Sequence, residues 1–443
     1  AFQECKNLKS VTFPLSLQSI GETAFKGCYS IEGFYGNEKF HSSDNRCLIH
    51  TSGIANEPNT YGKWIQLFAG NGLSEYAIPE GIVGIGEEAF VGNNALKSLT
   101  LPSSLMYISS SAFGSHEANM VPIEAIYGTN TSDDHCCLIV DGELRSFAVR
   151  TKMEKYIVPD NVTSIYSGAF SCSFLQEISM NDNVTQLGVG CFSSCPELKT
   201  VTLSAFIETI SGNPFEHCEK LQSVYLRALV PPLYADINMT NISNTLQFFV
   251  PSQSLSAYRH VGRRLFTDRP WGNAWSPYLG WHVYRDYLVG YNYSDHPTPD
   301  IYISSDFSKD GDVTTLQTAT KGNGIDIVLM GDAYSDRQIA DGTYKTDMEN
   351  LYSNLFTEEP YKSFKDYFNV YYINVVSITE VYGLKGANGA LLGGYFGDGT
   401  LVGGDDNAVF DYALKAITPE DMDVSLLIVA MNSDNYAGTC YMY

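Results

Sequence analysis

Positive charge is scarce in this chain. Its 443 residues hold 27 Lys and Arg against 50 Asp and Glu, a formal net charge of −23. Nucleic acid and anionic membranes are gripped through a cationic footprint, so neither is an expected partner. Long apolar runs are also missing. The longest stay under ten residues, whereas a spanning helix needs about 20, so no transmembrane segment is expected. No export signal is visible at the start, which opens on Ala1-Phe2 inside a repeat and reads as trimmed. Histidine is absent from residues 297–443, and no H-E-x-x-H occurs anywhere. There is no G-x-S-x-G, Walker loop or dinucleotide-binding glycine pattern.

What the chain does have is length enough for two or three domains. Acid is concentrated toward the end: residues 321–443 carry 7 Lys and Arg against 18 Asp and Glu. That step places a boundary near residue 320.

The first half repeats. "LKSVTFPLSLQSIGETAFKGC" (8–28), "LKSLTLPSSLMYISSSAFGSH" (96–116) and "LKTVTLSAFIETISGNPFEHC" (198–218) align, with shorter copies at 156–173 and 178–195 and a further copy at 76–102. The aromatic anchors are Phe2, Phe25, Phe90, Phe113, Phe170, Phe192 and Phe215, spaced by 22 or 23 except for gaps of 65 and 57. A fixed period of this length marks a solenoid. L-x-x-V-x-L-P alternates inward residues as a short strand does, a turn ends it, and a second short strand such as Gln18-Ser19-Ile20 follows. One coil cannot bury its own apolar face, so coils stack and share a core. The long gaps are related to each other: "DNRCLIH" (44–50) matches "DHCCLIV" (134–140), which reads as longer two-strand coils of the same solenoid.

Eight of the ten cysteines fall at repeated positions, several three residues after an anchor Phe. Stacked copies would place them in neighbouring coils, either as small buried thiols or as bridges between coils. Residues 246–285 ("LQFFVPSQSLSAY…" onward) read as a cap for the solenoid's open end.

The A-F-x-x-C-x-x-L-x-x-V-x-L-P pattern and "VPSQSLSAY" resemble BspA-like leucine-rich repeats of bacterial surface proteins. The resemblance covers about residues 1–285 and implies a bacterial protein, extracellular or on the cell surface. It also implies that the solenoid recognises a protein or glycoprotein ligand of a host or cell surface. A plain spacer is the other reading of the same coils.

Residues 286–320 read as a linker or small β segment. "DFSKDGDV" spaces Asp306, Asp310 and Asp312 as weak calcium candidates, but the rest of a calcium loop, including the closing Glu, is missing. From 321 the pattern changes. "IDIVLMG", "NVYYINVVSI" and "VSLLIVAMN" are strand-length apolar runs. "KTDMENLYSNLF", "YKSFKDYF" and "NAVFDYALKAI" have helical spacing. The fold class is therefore mixed: a β-rich leucine-rich-repeat solenoid (1–245) with its cap (246–285), then an α/β domain with a largely parallel sheet (321–443). In such sheets ligands bind beyond the carboxyl ends of the strands, which makes Asp332, Ser377, Asn432 and Tyr436 the candidate site-loop residues.

"GIDIVLMGDAYSDRQI", "LFTEEPYKSFKDYFNVYYINVVS" and "VSLLIVAMNSDNYAG" resemble the N-terminal half of the IgA-peptidase family of zinc metallopeptidases. Ala333 stands where that family often has Gly. The resemblance implies a zinc-binding H-E-x-x-H helix following the strand and Y-x-G loop, here 424–431 and 436–438. Two His one turn apart would hold the zinc and the Glu would activate water. This chain has no such helix, so the α/β part is expected to be incomplete at its C-terminus. The expectation is that a longer parent is a zinc endopeptidase and that this chain is inactive, without a catalytic residue or a cofactor of its own. The competing expectation is a non-catalytic surface recognition protein with a remnant peptidase-like domain. An H-E-x-x-H in the reading frame past Tyr443 would separate the two.

Overall fold

A computed structural model describes all residues except 1, 22, 56, 71, 116–118, 151–152, 233–235, 238–242, 261–280, 294–300, 383–389, 393–394, 397–401, 404–405, 433–439 and 443. By the density of its contacts the chain divides into two units. One comprises Ala1–Thr202, Ser211–Ser223 and Met239–Leu246; the other comprises Leu203–Ile210, Val224–Asn238 and Gln247–Tyr443.

In the first unit, short strands one period apart pair in parallel. Glu75–Ala77, Ser98–Thr100 and Ala125–Tyr127 form one ladder, with Tyr76, Leu99 and Ile126 in register. Lys155–Ile157, Glu177–Ser179 and Thr200–Thr202 repeat it with Tyr156, Ile178 and Val201. All six register residues are buried, as alternation requires. The second strand of each coil builds another ladder, through Ile65, Ile85 and Ile108 and through Leu144, Ile165 and Leu187. In the first coil Gln18–Ile20 is not a strand.

The two long gaps are hairpins inside the same stack. Cys47–Ile54 pairs antiparallel with Glu57–Phe68, which then joins Ile82–Ile85 in parallel. Cys137–Val140 pairs antiparallel with Glu143–Phe147, which joins Ser164–Ile165 in parallel. One turn device fixes both: Ser42 Oγ accepts from Cys47 N and Ser132 Oγ from Cys137 N, each at 2.9 Å. Each hairpin also supplies the anchor that its gap lacked. Phe68 stacks on Phe90 at 4.8 Å and Phe147 on Phe170 at 5.5 Å. In both, the sequence order is Phe-Ala rather than Ala-Phe. The column continues from Phe170 to Phe192 and Phe215 at 5.5 and 5.6 Å.

All nine described cysteines are free thiols, so the bridging alternative does not arise among them. Instead each of three thiols donates one coil back: Cys28 to Phe2 O at 2.8 Å, Cys195 to Phe170 O at 3.1 Å and Cys218 to Phe192 O at 2.9 Å.

In the second unit, Gln247–Pro251 pairs in parallel with Leu288–Tyr291. Helix α1 (Leu255–His260) follows a Pro turn, and its Tyr258 hydroxyl donates to Ala228 O at 3.0 Å. Trp281 packs edge-on against both Phe248 and Tyr258. Of the segment 246–285 read as a cap, the described residues thus comprise a strand, a Pro turn, a short helix and the Trp281 packing, and residues 261–280 lie outside the described ones.

The same unit contains a five-stranded sheet in the order Val313–Gln317, Phe368–Ile373, Ile325–Asp332, Leu426–Met431, Cys440–Met442. Its three inner strands are parallel, and both edges are antiparallel. The sheet is thus mixed rather than largely parallel, and its first edge strand comes from 286–320, the segment read as a linker or small β segment. Within Ile325–Asp332 the run Ile327–Met330 is apolar and fully buried because both faces of the strand are covered there. Ile327 and Leu329 pack with Tyr344 and Met348 of α3 (Thr343–Leu355), while Val328 and Met330 pack with Val409 and Ala413 of α4 (Asp406–Ala413). The expected helix at 361–368 is instead a run of turns ending in a 3-10 turn, Lys365–Tyr367. Elsewhere in 286–320, residues 301–307 have no strand assignment.

Candidate functional site

The three inner strands end together, and their polar ends converge on one residue, Ala333. Gly331 leads into it. A side chain there would meet the Tyr334 and Tyr344 rings at 2.7 Å, so only Gly lets both rings close over the strand end. Ala333 then turns with φ of +61°, a left-handed conformation that costs a non-Gly residue roughly 1–2 kcal/mol. Hydrogen bonds hold it there. Ala333 N donates to Asp332 Oδ1 and to Ser377 Oγ, each at 3.0 Å, and Ala333 O accepts from Asn432 Nδ2 at 2.8 Å.

Asp332 and Ser377 are fully buried. Asp332 Oδ1 also accepts from Leu392 N at 3.1 Å and from Ser377 Oγ at 3.3 Å; Ser377 Oγ accepts from Leu391 N at 3.3 Å. The sequence-derived site residues Asp332, Ser377 and Asn432 therefore meet in one clasp directly after their strands, the first two fully buried and Asn432 partly so. Tyr436 lies outside the described residues.

Two further members were not singled out from the sequence. Tyr382 donates to Asp332 O at 2.8 Å, and Gln338 Oε1 accepts from Asn432 Nδ2 at 3.0 Å and from Ser335 N at 3.2 Å. Gln338 had a legible signal: Ser335-x-x-Gln338 is a capping box opening α2 (Asp336–Ala340). Beside it Arg337 pairs with Glu380 and stacks over Tyr302 at 4.2 Å. Hydrogen bonding to Arg337 holds the Glu380 carboxyl below its ordinary value. Burial works against ionisation of Asp336. Donors from Tyr302, Asp306 N, Ser305 N and Arg337 N outweigh that effect and hold it low as well.

Asp306, Asp310 and Asp312 turn to separate partners. Asp306 accepts from Ser308 N at 2.9 Å, which lowers its carboxyl pKa. Asp312 lies 3.8 Å from Lys309 at the surface. Asp310 points inward to His260, Tyr412 and Val376 N. A groove of about 540 Å³ runs past Asp306, Asp312 and Asp336 beside the edge strand. Among the described residues no group of three or more His, Cys, Asp and Glu side chains is placed to hold a metal. The described residues do not fit the zinc that the peptidase resemblance implies.

In the first unit, surface chemistry lies on the outward positions of the first ladder. These read Glu75, Ser98 and Ala125; Ala77, Thr100 and Tyr127; Lys155, Glu177 and Thr200; Ile157, Ser179 and Thr202. They do not repeat as the inward ones do. Tyr127 is 43% and Ile157 73% exposed.

Six copies of the BspA type leucine rich repeat region match residues 1–56, 65–134 and 143–241, more than half of the chain. The chain belongs to the BspA-type leucine-rich repeat family. A comparison with curated proteins finds no match. Among solved structures, the pneumococcal vaccine antigen PcpA is 19% identical over 56% of this chain and 51% of its own, with a TM-score of 0.29. This chain thus spans about half of PcpA's length. A leucine-rich cell surface protein from Faecalibacterium prausnitzii A2-165 is 20% identical over 57% of this chain and 69% of its own, with a TM-score of 0.28. A leucine-rich repeat protein from Bacteroides ovatus is 19% identical over 57% and 77%, with a TM-score of 0.23. Nothing about ligand or activity follows from likeness of that size. Among the described residues no helix is long and apolar enough to cross a membrane.

Proposed function

We propose that this is a recognition protein of a bacterial surface, whose BspA-type coils bind a protein or glycoprotein ligand through their outward-facing ladder. The observation that carries the reading is the contrast within each strand. Inward residues are uniformly apolar and buried, while the outward ones differ from coil to coil and include exposed Tyr127 and Ile157. A spacer needs only a soluble outer face and does not call for outward side chains that change from coil to coil. Recognition uses aromatic and aliphatic anchors among mixed polar groups. The test is saturable binding of the purified chain to immobilised mucin and extracellular-matrix glycoprotein.

The α/β part is read as the scaffold half of an IgA-peptidase-type fold. The clasp of Asp332, Ser377 and Asn432 around Ala333 supports that reading, because it orders the three loops beyond the strand ends where such folds place their chemistry. Residues 297–443 hold no histidine, so we assign no zinc-dependent proteolysis to this polypeptide. Chelator-sensitive hydrolysis of a protein substrate by this polypeptide, or one zinc bound per chain, would overturn that.

A further inference from the structure

Residues 301–312 lie across the loop that follows the strand Phe368–Ile373. Ser304 N donates to Ile378 O at 2.9 Å and Ser304 Oγ to Ser377 O at 2.7 Å. Gly311 N donates to Asn374 O at 2.8 Å, and Asn374 N to Asp312 O at 3.0 Å. The same segment grips the cap. Phe307 lies flat on the ring of His260, the last residue of α1, with centroids 4.1 Å apart. Ala257 of α1 shares a small buried cluster with Ile378 and Val230, against which Ile301, Ile303 and Phe307 pack.

Asp310 joins the two sides. Its side chain is 9% exposed. Oδ2 lies 3.1 Å from His260 Nε2, and Oδ1 accepts from Val376 N at 2.9 Å. The Tyr412 hydroxyl of α4 reaches both oxygens, at 2.8 and 2.9 Å. A buried carboxylate that holds three donors from three elements costs most when one is removed. Val376 immediately precedes Ser377, whose hydroxyl holds Ala333 and Leu391 in the clasp.

We propose that residues 301–312 form a latch that fastens the cap helix α1 to the loop 374–378, with Asp310 as its pin. The state of the solenoid's cap is thereby coupled to the ends of the strands. The path consists of consecutive contacts: His260 to Asp310, Asp310 to Val376, Ser377 to Ala333. It holds whatever chemistry the α/β part performs.

Hydrogen exchange read by mass spectrometry on the whole chain tests the latch. His260 bonds to Asp310 and stacks on Phe307, neither of them in loop 374–378. His260→Ala should nonetheless speed exchange across 374–378 by about tenfold, the effect of one lost charge-assisted bond. Coupling is reciprocal, so Tyr412→Phe on α4 should speed exchange in α1. That variant removes one oxygen and keeps the ring, which guards against losing the cap altogether. Protection in Ile325–Asp332 should be unchanged in both. Faster exchange confined to the mutated element, or a uniform loss of protection across the sheet, would overturn the proposal.

Discussion

The thiol of Cys218 donates to the carbonyl oxygen of Phe192, one coil earlier, at 2.9 Å. The repeat thus uses cysteine as a small buried donor. It gives the carbonyl of the Phe plug one coil back a side-chain donor, and at Phe2 and Phe170 that carbonyl also accepts from the backbone N–H of Cys5 and Ser173. Asn93, three residues after Phe90, does the same for Phe68 O at 3.1 Å. The position selects a compact donor rather than sulfur chemistry.

Cys218→Val keeps the volume and loses the donor, leaving Phe192 O unpaired. It should cost about 1–3 kcal/mol. Cys218→Ser keeps a donor and should cost less. Urea unfolding of the two variants side by side checks the order; equal costs would show that only packing matters.

Phe170 stacks between Phe147 and Phe192 and is fully buried. Phe170→Ala should destabilise by about 3–5 kcal/mol, through lost burial and the cavity it leaves. Such an array is stabilised coil by coil against its neighbours. Protection from exchange should therefore fall most in the coils holding Phe147 and Phe192.

The carboxyls of Asp336 and Glu380 sit below their ordinary values of 3.8 and 4.5. A depressed folded value means the contribution is complete above the ordinary value and lost as pH falls through the folded one. The packing of residues 302–306 on α2 should thus be independent of pH near neutrality and loosen below about pH 4. Asp336→Asn should show the loosened state already at pH 7. Exchange of Ser305 and Asp306 amides against pH reads this directly.

Much of this was legible in the sequence, because both periodicities report burial. The Phe anchors and alternating strands gave the coils, and the strand-length apolar runs matched strands covered on both faces. Phe68 and Phe147 escaped because their coils invert the Ala-Phe order and insert a hairpin. The helix expected at 361–368 failed because apolar residues at helical spacing also fit a succession of turns behind Pro360. Asp332, Ser377 and Asn432 could be chosen from their places after strands. That two of them would be fully buried, serving Ala333 rather than an open site, depends on contacts across 44 to 99 residues that no local pattern carries. Asp310 is the sharpest case. Its spacing with Asp306 and Asp312 resembles an ion-binding turn, yet it faces inward to groups 50, 66 and 102 residues away.

The central claim is that the outward ladder of the coils binds a ligand. Its most direct test compares the chain with a Tyr127→Ser, Ile157→Ser double variant in surface plasmon resonance against immobilised mucin and extracellular-matrix glycoprotein. Both substitutions lie on exposed positions, so the melting temperature should stay the same. The chain should bind saturably and the variant at least about tenfold more weakly. Undiminished binding by the variant, or no binding by the chain to either ligand, would contradict it.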